Sequence, residues 1–131
     1  MTENEISAII VDAAIEVHRS LGGPGLIESV YEAALACELS SRGLKVQRQV
    51  QVPILYKGHS LETPLRLDLL VGDRVVVECK STPRYNSIYQ AQALTYLRLK
   101  NLKLALVINF GERLAKDGIH RVVNRLHATD Q

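Results

Sequence analysis

Apolar side chains in the first third of the chain recur every three or four residues, the spacing of one face of an α-helix. The first such stretch follows a capping box formed by Thr2 and Glu5, and it ends at the turn sequence Gly-Gly-Pro-Gly. The second stretch predicts a helix from about Glu28 to Arg42, with Gly43 in a left-handed conformation after its last turn. Two amphipathic helices are therefore expected before any strand.

From Lys45 the hydrophobic period changes to two, which indicates β-strands. A first strand is predicted from Lys45 to near Tyr56, followed by a turn over residues 57–60. The alternation then resumes in two further strands, at residues 65–71 and 74–80. These three strands are expected to form an antiparallel meander.

The last third of the chain predicts one more helix and one or two strands. Ser87 and Gln90 resemble a second capping box, and the helix that they open ends near Lys100. A continuous apolar run at Leu104–Ile108 is typical of a strand buried on both faces, and a short final strand is predicted at 119–123. The order α-α-β-β-β-α-β-(β) predicts a mixed α/β sheet, with helices on both faces and a right-handed crossover to a parallel strand.

Composition narrows the class of protein. The chain has 131 residues, 47% of them hydrophobic, which fits a single domain over residues 1–131 with a real core. A net charge of +2 permits nucleic-acid binding without arguing for it. No apolar run is long enough to span a membrane and no signal peptide is evident, so we expect a cytoplasmic protein that does not associate with membranes.

Several residues are assigned structural environments rather than chemistry. The two cysteines have no metal-ligand spacing, so Cys79 is expected in the core and Cys37 in helix packing. Tyr31 and Tyr96 are expected in the core with bonded hydroxyl groups. Surface or loop positions are expected for the four histidines, His18, His59, His120 and His127.

Three charged residues, Asp68, Glu78 and Lys80, fall at the ends of two predicted strands that are largely apolar. Glu78 and Lys80 are two residues apart and therefore point to the same face of their strand. A two-residue turn at Gly72–Asp73 would pair Asp68 with Val77 and place it on the opposite face. A three-residue loop, or one bulge, would pair Asp68 with Glu78 instead, and we predict this register.

In that register two carboxylates converge, and they repel each other unless a cation lies between them. Hard oxygen ligands favour Mg²⁺ or Mn²⁺, with the backbone carbonyl of Cys79 as a third ligand beside Asp68 and Glu78. Lys80 would orient the metal-bound water or stabilise charge on a phosphate in the transition state. The alternative is a structural salt-bridge cluster, in which Lys80 neutralises both carboxylates without a metal.

The arrangement resembles the PD-(D/E)XK nuclease superfamily, in which Asp68 matches the first acidic position and Glu78-Cys79-Lys80 the E-x-K motif. The proline that usually precedes the aspartate is absent. A closer similarity is to the small GxxExxY proteins, a bacterial family within that superfamily. The matching segments are Gly25–Tyr31, Arg66–Val71, Val77–Lys80, Ala91–Leu97, Ile108–Gly111 and Arg121–Val123. The resemblance implies a restriction-endonuclease-like αβββαβ core with an extra N-terminal helix.

The resemblance also implies roles for residues outside the E-x-K strand. Glu28 would approach the metal, as helix glutamates do in related nucleases, and Gln92 would contact substrate or hold Lys80. The structural alternatives are stabilisation of the helix dipole by Glu28 and a bond from Gln92 to the backbone. Glu32 lies on the same helix face as Glu28, but its claim to membership of the site is weaker. Tyr89 occupies a position where relatives commonly carry histidine, a change that would reduce activity.

Arg84, Tyr85, Asn86 and Tyr89 form a polar, aromatic stretch just after the E-x-K strand. One interpretation makes Arg84 and Tyr89 substrate-binding residues, and the other makes the stretch an ordinary solvated loop and helix start.

Three functions remain open at the level of sequence. The first is a metal-dependent phosphodiesterase that uses Mg²⁺ or Mn²⁺ on DNA or RNA. The second is a catalytically inactive nuclease-like module that binds nucleic acid or a protein partner, and the third is a self-associating structural protein. Because so small a chain lacks a separate recognition domain, a homodimer is reasonable for either of the first two.

Overall fold

Three helices and seven strands make up the part of the chain that the computed structural model describes, residues 1–63 and 65–126. In chain order the elements are α1 (Glu3–Ser20), α2 (Glu28–Ser41), β1 (Val46–Gln51), β2 (Ile54–Tyr56), β3 (His59–Leu61), β4 (Arg66–Val71), β5 (Val75–Lys80), α3 (Ile88–Lys100), β6 (Leu104–Asn109), a 3₁₀ turn (Ala115–Gly118) and β7 (Ile119–Val123). The three predicted helices and the short final strand are confirmed. His127 lies outside the described residues.

The main sheet has five strands in the order β1-β4-β5-β6-β7. Its neighbours pair antiparallel except β5 and β6, which are parallel and connected through α3. This topology confirms the predicted meander, the crossover helix and the mixed α/β sheet.

The two faces of the sheet are covered by different helices, because successive strand residues point to opposite sides. In β5, Val77 packs with Ile10 and Leu35 of α1 and α2, whereas the adjacent Val76 packs with Leu97 of α3. All six residues of β6 are buried, as its continuous apolar run predicts. No helix in the described ranges is long and apolar enough to cross a membrane.

The predicted strand from Lys45 to Tyr56 is wrong, because it is two strands. β1 ends at Gln51 and β2 begins at Ile54, and Pro53 between them has no N–H to continue a ladder. β2 pairs only with β3, in a hairpin separate from the main sheet. The turn is the dipeptide Lys57–Gly58 with positive φ at both residues, so the other half of the predicted 57–60 turn belongs to β3.

The capping predictions had mixed outcomes. The Thr2 box is present, since its hydroxyl accepts the Glu5 N–H at 3.1 Å. Gly43 has the predicted left-handed backbone, with φ of 86°. The box at Ser87 is wrong, because the side chain of Asn86 accepts the N–H of Ile88 at 3.0 Å instead.

Two predicted environments also need correction. Cys37 is exposed rather than packed between helices, whereas Cys79 is buried as expected. His18 is buried rather than superficial, because its Nε2 lies 2.9 Å from the carbonyl of Glu112 and its ring stacks on Phe110. The tertiary contact with a distant loop, absent from any local pattern, accounts for its burial.

Candidate active site

The β4–β5 hairpin has the register on which the site depends. Val71 pairs with Val75 and Leu69 with Val77, so the loop between the strands has three residues, 72–74. Continuing that register places Asp68 opposite Glu78. The three-residue loop is therefore confirmed, and a shift of one residue would have turned Asp68 to the other face.

The carboxylates of Asp68 and Glu78 lie between the ends of β4 and β5. Glu78 Oε2 accepts the backbone N–H of Asp68 at 2.8 Å. Asp68 Oδ2 accepts the backbone N–H of Cys79 at 2.8 Å. The side chains thus replace the backbone ladder beyond Leu69 and Val77. Each carboxylate therefore has one oxygen committed to a backbone N–H.

Glu32 and Gln49 complete one side of this site, and Gln49 was missed by the sequence analysis. Gln49 Nε2 lies 2.8 Å from Glu32 Oε1 and 3.5 Å from Asp68 Oδ1. Gln49 adopts a φ of 53° and interrupts the β1–β4 ladder opposite Asp68. Arg48 forms a salt bridge of 3.1 Å with Glu32, whose functional role in the site stays a prediction. The feature that marks Gln49 is its positive φ, and no pattern in the sequence predicts that conformation for a glutamine.

Negative charge accumulates at this site. Burial, followed by the charge of Asp68, raises the pKa of Glu78 to about 8. Burial also raises the pKa of Asp68, although the Cys79 N–H opposes it. Desolvation likewise raises the pKa values of Glu28 and Glu32. Glu28 belongs to the same electrostatic cluster, because its charge raises the pKa of both Asp68 and Glu78.

Lys80 lies next to these carboxylates without forming a salt bridge to any described one. Its charge lowers the pKa of Glu28, Asp68 and Glu78, which opposes the effect of burial. Its Nζ lies 4.8 Å from the centre of the Tyr89 ring, a cation–π contact. The alternative of a Lys80 salt bridge to both carboxylates is therefore not what the structure contains.

Helix α3 contributes Tyr96 to the rim of the site. Tyr96 is half-buried, and after burial itself the charges of Glu78 and Asp68 raise its pKa. Its predicted core position is thus only partly correct, whereas Tyr31 is fully buried and donates its hydroxyl to the carbonyl of Gly23 at 2.7 Å.

The remaining predicted site residues lie on the solvent side. Gln92, one helical turn before Tyr96, is exposed and has no hydrogen bond to Lys80. Arg84 is exposed on the loop after β5, and its side chain has no partner among the described residues. Substrate contact by Gln92, Arg84 and Tyr89 therefore remains a prediction.

Asn109 anchors the loop that follows Lys80. Its Oδ1 accepts the N–H groups of Thr82 and Gly111, each at 3.0 Å. Its Nδ2 donates to the carbonyl of Thr82 at 3.0 Å. A Cβ at Gly111 would lie 2.2 Å from that carbonyl, so the close approach requires glycine. The I-N-F-G motif contains both residues, and the structure supplies its physical reason.

The donor chemistry fits a hard divalent cation. Within residues 1–63 and 65–126, no group of three or more His, Cys, Asp or Glu side chains is placed so that it could hold a metal ion. Mg²⁺ usually binds through one or two carboxylates and completes its shell with water and substrate phosphates. Asp68 and Glu78, two close carboxylates with raised pKa values, meet that smaller requirement.

Comparison with known proteins adds one finding. A family model described as the PD-(D/E)XK nuclease superfamily matches residues 4–122. No curated protein and no solved structure matches the chain.

Proposed function

The chain belongs to the PD-(D/E)XK nuclease superfamily, whose members generally use divalent metal ions, and we propose that it is a metal-dependent nuclease. Its substrate is the phosphodiester backbone of DNA or RNA, and its metal is Mg²⁺ or Mn²⁺. Within the superfamily, we propose that it belongs with the GxxExxY proteins, a proposal that the motifs at Gly25–Tyr31 and Ile108–Gly111 support.

The observation that carries the proposal is a pair of carboxylates, Glu78 buried and Asp68 half-buried, with a lysine beside it. Glu78 is only 7% exposed, faces Asp68 across the hairpin, and has a pKa raised to about 8. Two neighbouring, partly desolvated carboxylates are unfavourable in their charged forms without a cation, and Lys80 makes no salt bridge to any described carboxylate. A divalent ion would stabilise the ionised forms of both carboxylates.

In the proposed site, Asp68 and Glu78 would hold the metal, together with the backbone carbonyl of Cys79. When bound, the metal would supply activation of a water molecule and charge neutralisation at the phosphate. Lys80, held over the Tyr89 ring, directs its ammonium to the attacking water or to a phosphate oxygen.

The outer residues support this arrangement. Glu28 assists on the α2 side, and Gln92, Arg84 and Tyr89 contact substrate from α3 and the preceding loop.

We further propose that the active form is a homodimer, which light scattering after size exclusion would show as twice the chain mass.

The decisive experiment is a cleavage panel of single- and double-stranded DNA and RNA with Mg²⁺ or Mn²⁺. Wild type should cleave at least one substrate, and Lys80→Ala should lower kcat about 10²-fold or more. Lys45→Ala removes an exposed lysine that is bonded to Asp73, and it should leave cleavage unchanged. Equal activity of the two lysine variants would refute the assigned role of Lys80.

Metal binding is measured separately from cleavage, as the rise in melting temperature with Mg²⁺ or Mn²⁺. Binding to the folded state stabilises by mass action, about 2.7 kcal/mol at a hundred times Kd. Asp68→Asn should abolish this rise. Asp73→Asn, in the loop of the same hairpin, should retain it, because the Asp73 side chain bonds only Lys45 among the described residues.

A catalytically inactive module is the second candidate, and one observation favours it. Each carboxylate of the pair already accepts a backbone N–H, so the pair can serve as a metal-free structural clamp. That function predicts no metal-dependent rise in melting temperature and no cleavage of any substrate, with nucleic-acid binding retained.

A further inference from the structure

Charge is distributed unequally between the two helical faces of the molecule. The first 43 residues, which form α1 and α2, contain seven acidic and two basic side chains. Residues 79–111, which include α3, contain five basic side chains and no acidic one. A polyanion is therefore attracted to the α3 face and repelled from the other.

A polar groove of about 460 Å³ lies on the α3 face, between the end of α3 and the end of β7. Its lining residues are Leu94, Arg98, Asn101, Val123, Asn124 and Arg125. The side chains of Arg98 and Arg125 are exposed, and neither forms a salt bridge or hydrogen bond within the described ranges. Two guanidinium groups thus line one groove without an anionic partner in this part of the chain.

The backbone around the groove is held in place. Asn101 ends α3 in a left-handed conformation, with φ of 54°. The side chain of Asn124 donates to the carbonyl of Leu102 at 3.0 Å, and the backbone N–H of Asn124 donates to the carbonyl of Lys103 at 2.8 Å. These bonds join the end of β7 to the end of α3, so both arginines occupy fixed sides of one groove.

We propose that this groove binds the phosphate backbone of the nucleic acid, as an anchor separate from the cleavage site. The inference rests on the proposed function for its substrate class. Arg98 is nine residues beyond Tyr89 on the same helix, about 14 Å along its axis. That length corresponds to about four nucleotides of a duplex strand, so the anchor holds a phosphate several nucleotides from the reacting one.

The test is the salt-dependent binding of a fluorescein-labelled duplex DNA and its single strand, measured by anisotropy in EDTA so that no cleavage occurs. The variants are Arg98→Gln, Arg125→Gln and their combination. Arg113→Gln is the matched control, because Arg113 is equally exposed but lies beside α1. Melting temperatures should agree among all four variants, since each residue is exposed.

We expect the double variant to bind about tenfold more weakly at intermediate salt, between about 50 and 200 mM. Its plot of log K against log salt should be shallower by about two, one for each lost phosphate contact. Arg113→Gln should match wild type. Equal binding of DNA by the double variant and wild type would overturn the anchor. The anchor would also be overturned if polyglutamate competes with DNA for wild type but not for the double variant, while the double variant still binds DNA.

Failure of the anchor and failure of the proposed function give different results. If wild type binds in this salt-dependent manner but cleaves nothing with either metal, the proposed nuclease function is refuted and the proposed phosphate anchor is supported. If wild type and the double variant both cleave with the same KM, the phosphate anchor is refuted and the nuclease function is supported. Wild type that binds no nucleic acid overturns the anchor outright.

Discussion

At the scale of single residues, the protonation of Glu78 is subject to two opposing influences. Glu78 is buried and bonded to the backbone N–H of Asp68, a contact that favours its charged form. Burial and the charge of Asp68 oppose this more strongly, so the neutral form persists to about pH 8. The residue is thus strained electrostatically by the same neighbours that define the site.

This strain predicts how stability depends on pH. Because the folded-state pKa of Glu78 lies above its unfolded value of 4.5, the folded state binds more protons between about pH 4.5 and 8. Without metal, stability should therefore fall as pH rises through that window, by a few kcal/mol. Glu78→Gln removes the titration, so most of this fall should disappear in urea unfolding at pH 5 and pH 8. Parallel pH profiles for the two proteins would contradict the assignment.

At the scale of elements, the site depends on how the end of β6 holds the loop after β5. The amide of Asn109 makes three hydrogen bonds to this region, two of them to the backbone of Thr82. Gly111 lets the two chains approach closely, since a Cβ there would contact the Thr82 carbonyl at 2.2 Å. The loop that follows Lys80 is therefore positioned by the parallel strand pair.

Gly111→Ala tests this close approach. The added methyl group meets backbone atoms rather than a flexible side chain, so we expect a loss of about 3 kcal/mol in the free energy of unfolding. Gly58→Ala is a control in the β2–β3 turn, where no atom lies within 4 Å of the added Cβ but φ is 81°. That variant should lose only about 1 kcal/mol from the left-handed backbone. Equal losses would show that the contact with Thr82 is unimportant.

At the scale of the whole molecule, the sheet separates two electrostatic environments. Acidic α1 and α2 cover one face, and α3, without an acidic residue, covers the other. Glu32 of α2 reaches the sheet edge through Arg48 and Gln49, so the acidic face ends at the site itself. The proposed metal would therefore lie at the boundary between the two faces.

Proton and metal should compete at this boundary. If the ion binds the ionised carboxylates, the rise in melting temperature with Mg²⁺ should be small near pH 5 and should increase toward pH 8. The comparison is thermal unfolding at several pH values with Mg²⁺ or with EDTA, using Asp68→Asn as the protein without the site. A metal effect that is independent of pH would argue against ligation by this pair.

Much of the fold follows from local patterns. The helical spacing before residue 43, the alternation from Lys45 and the apolar run of β6 predicted the three helices and the mixed sheet. The break at Pro53 was missed because the strand was predicted from periodicity alone, and the capping box at Ser87 was wrong because Asn86 bonds the N–H of Ile88 instead.

The sequence by itself determined that Glu78 and Lys80 share a face, because a strand has a period of two. The periodicity alone did not determine on which face of its strand Asp68 lies, since the same residues can form a hairpin loop of two or three residues. Only the tertiary structure decided this register, through the pairing of Leu69 with Val77 inside a two-sided core. It also decided that Glu32 and Gln49 join Asp68, because residues so far apart in the chain meet only when α2 packs across the sheet edge. Local chemistry therefore specifies which groups can react, and packing specifies which of them meet.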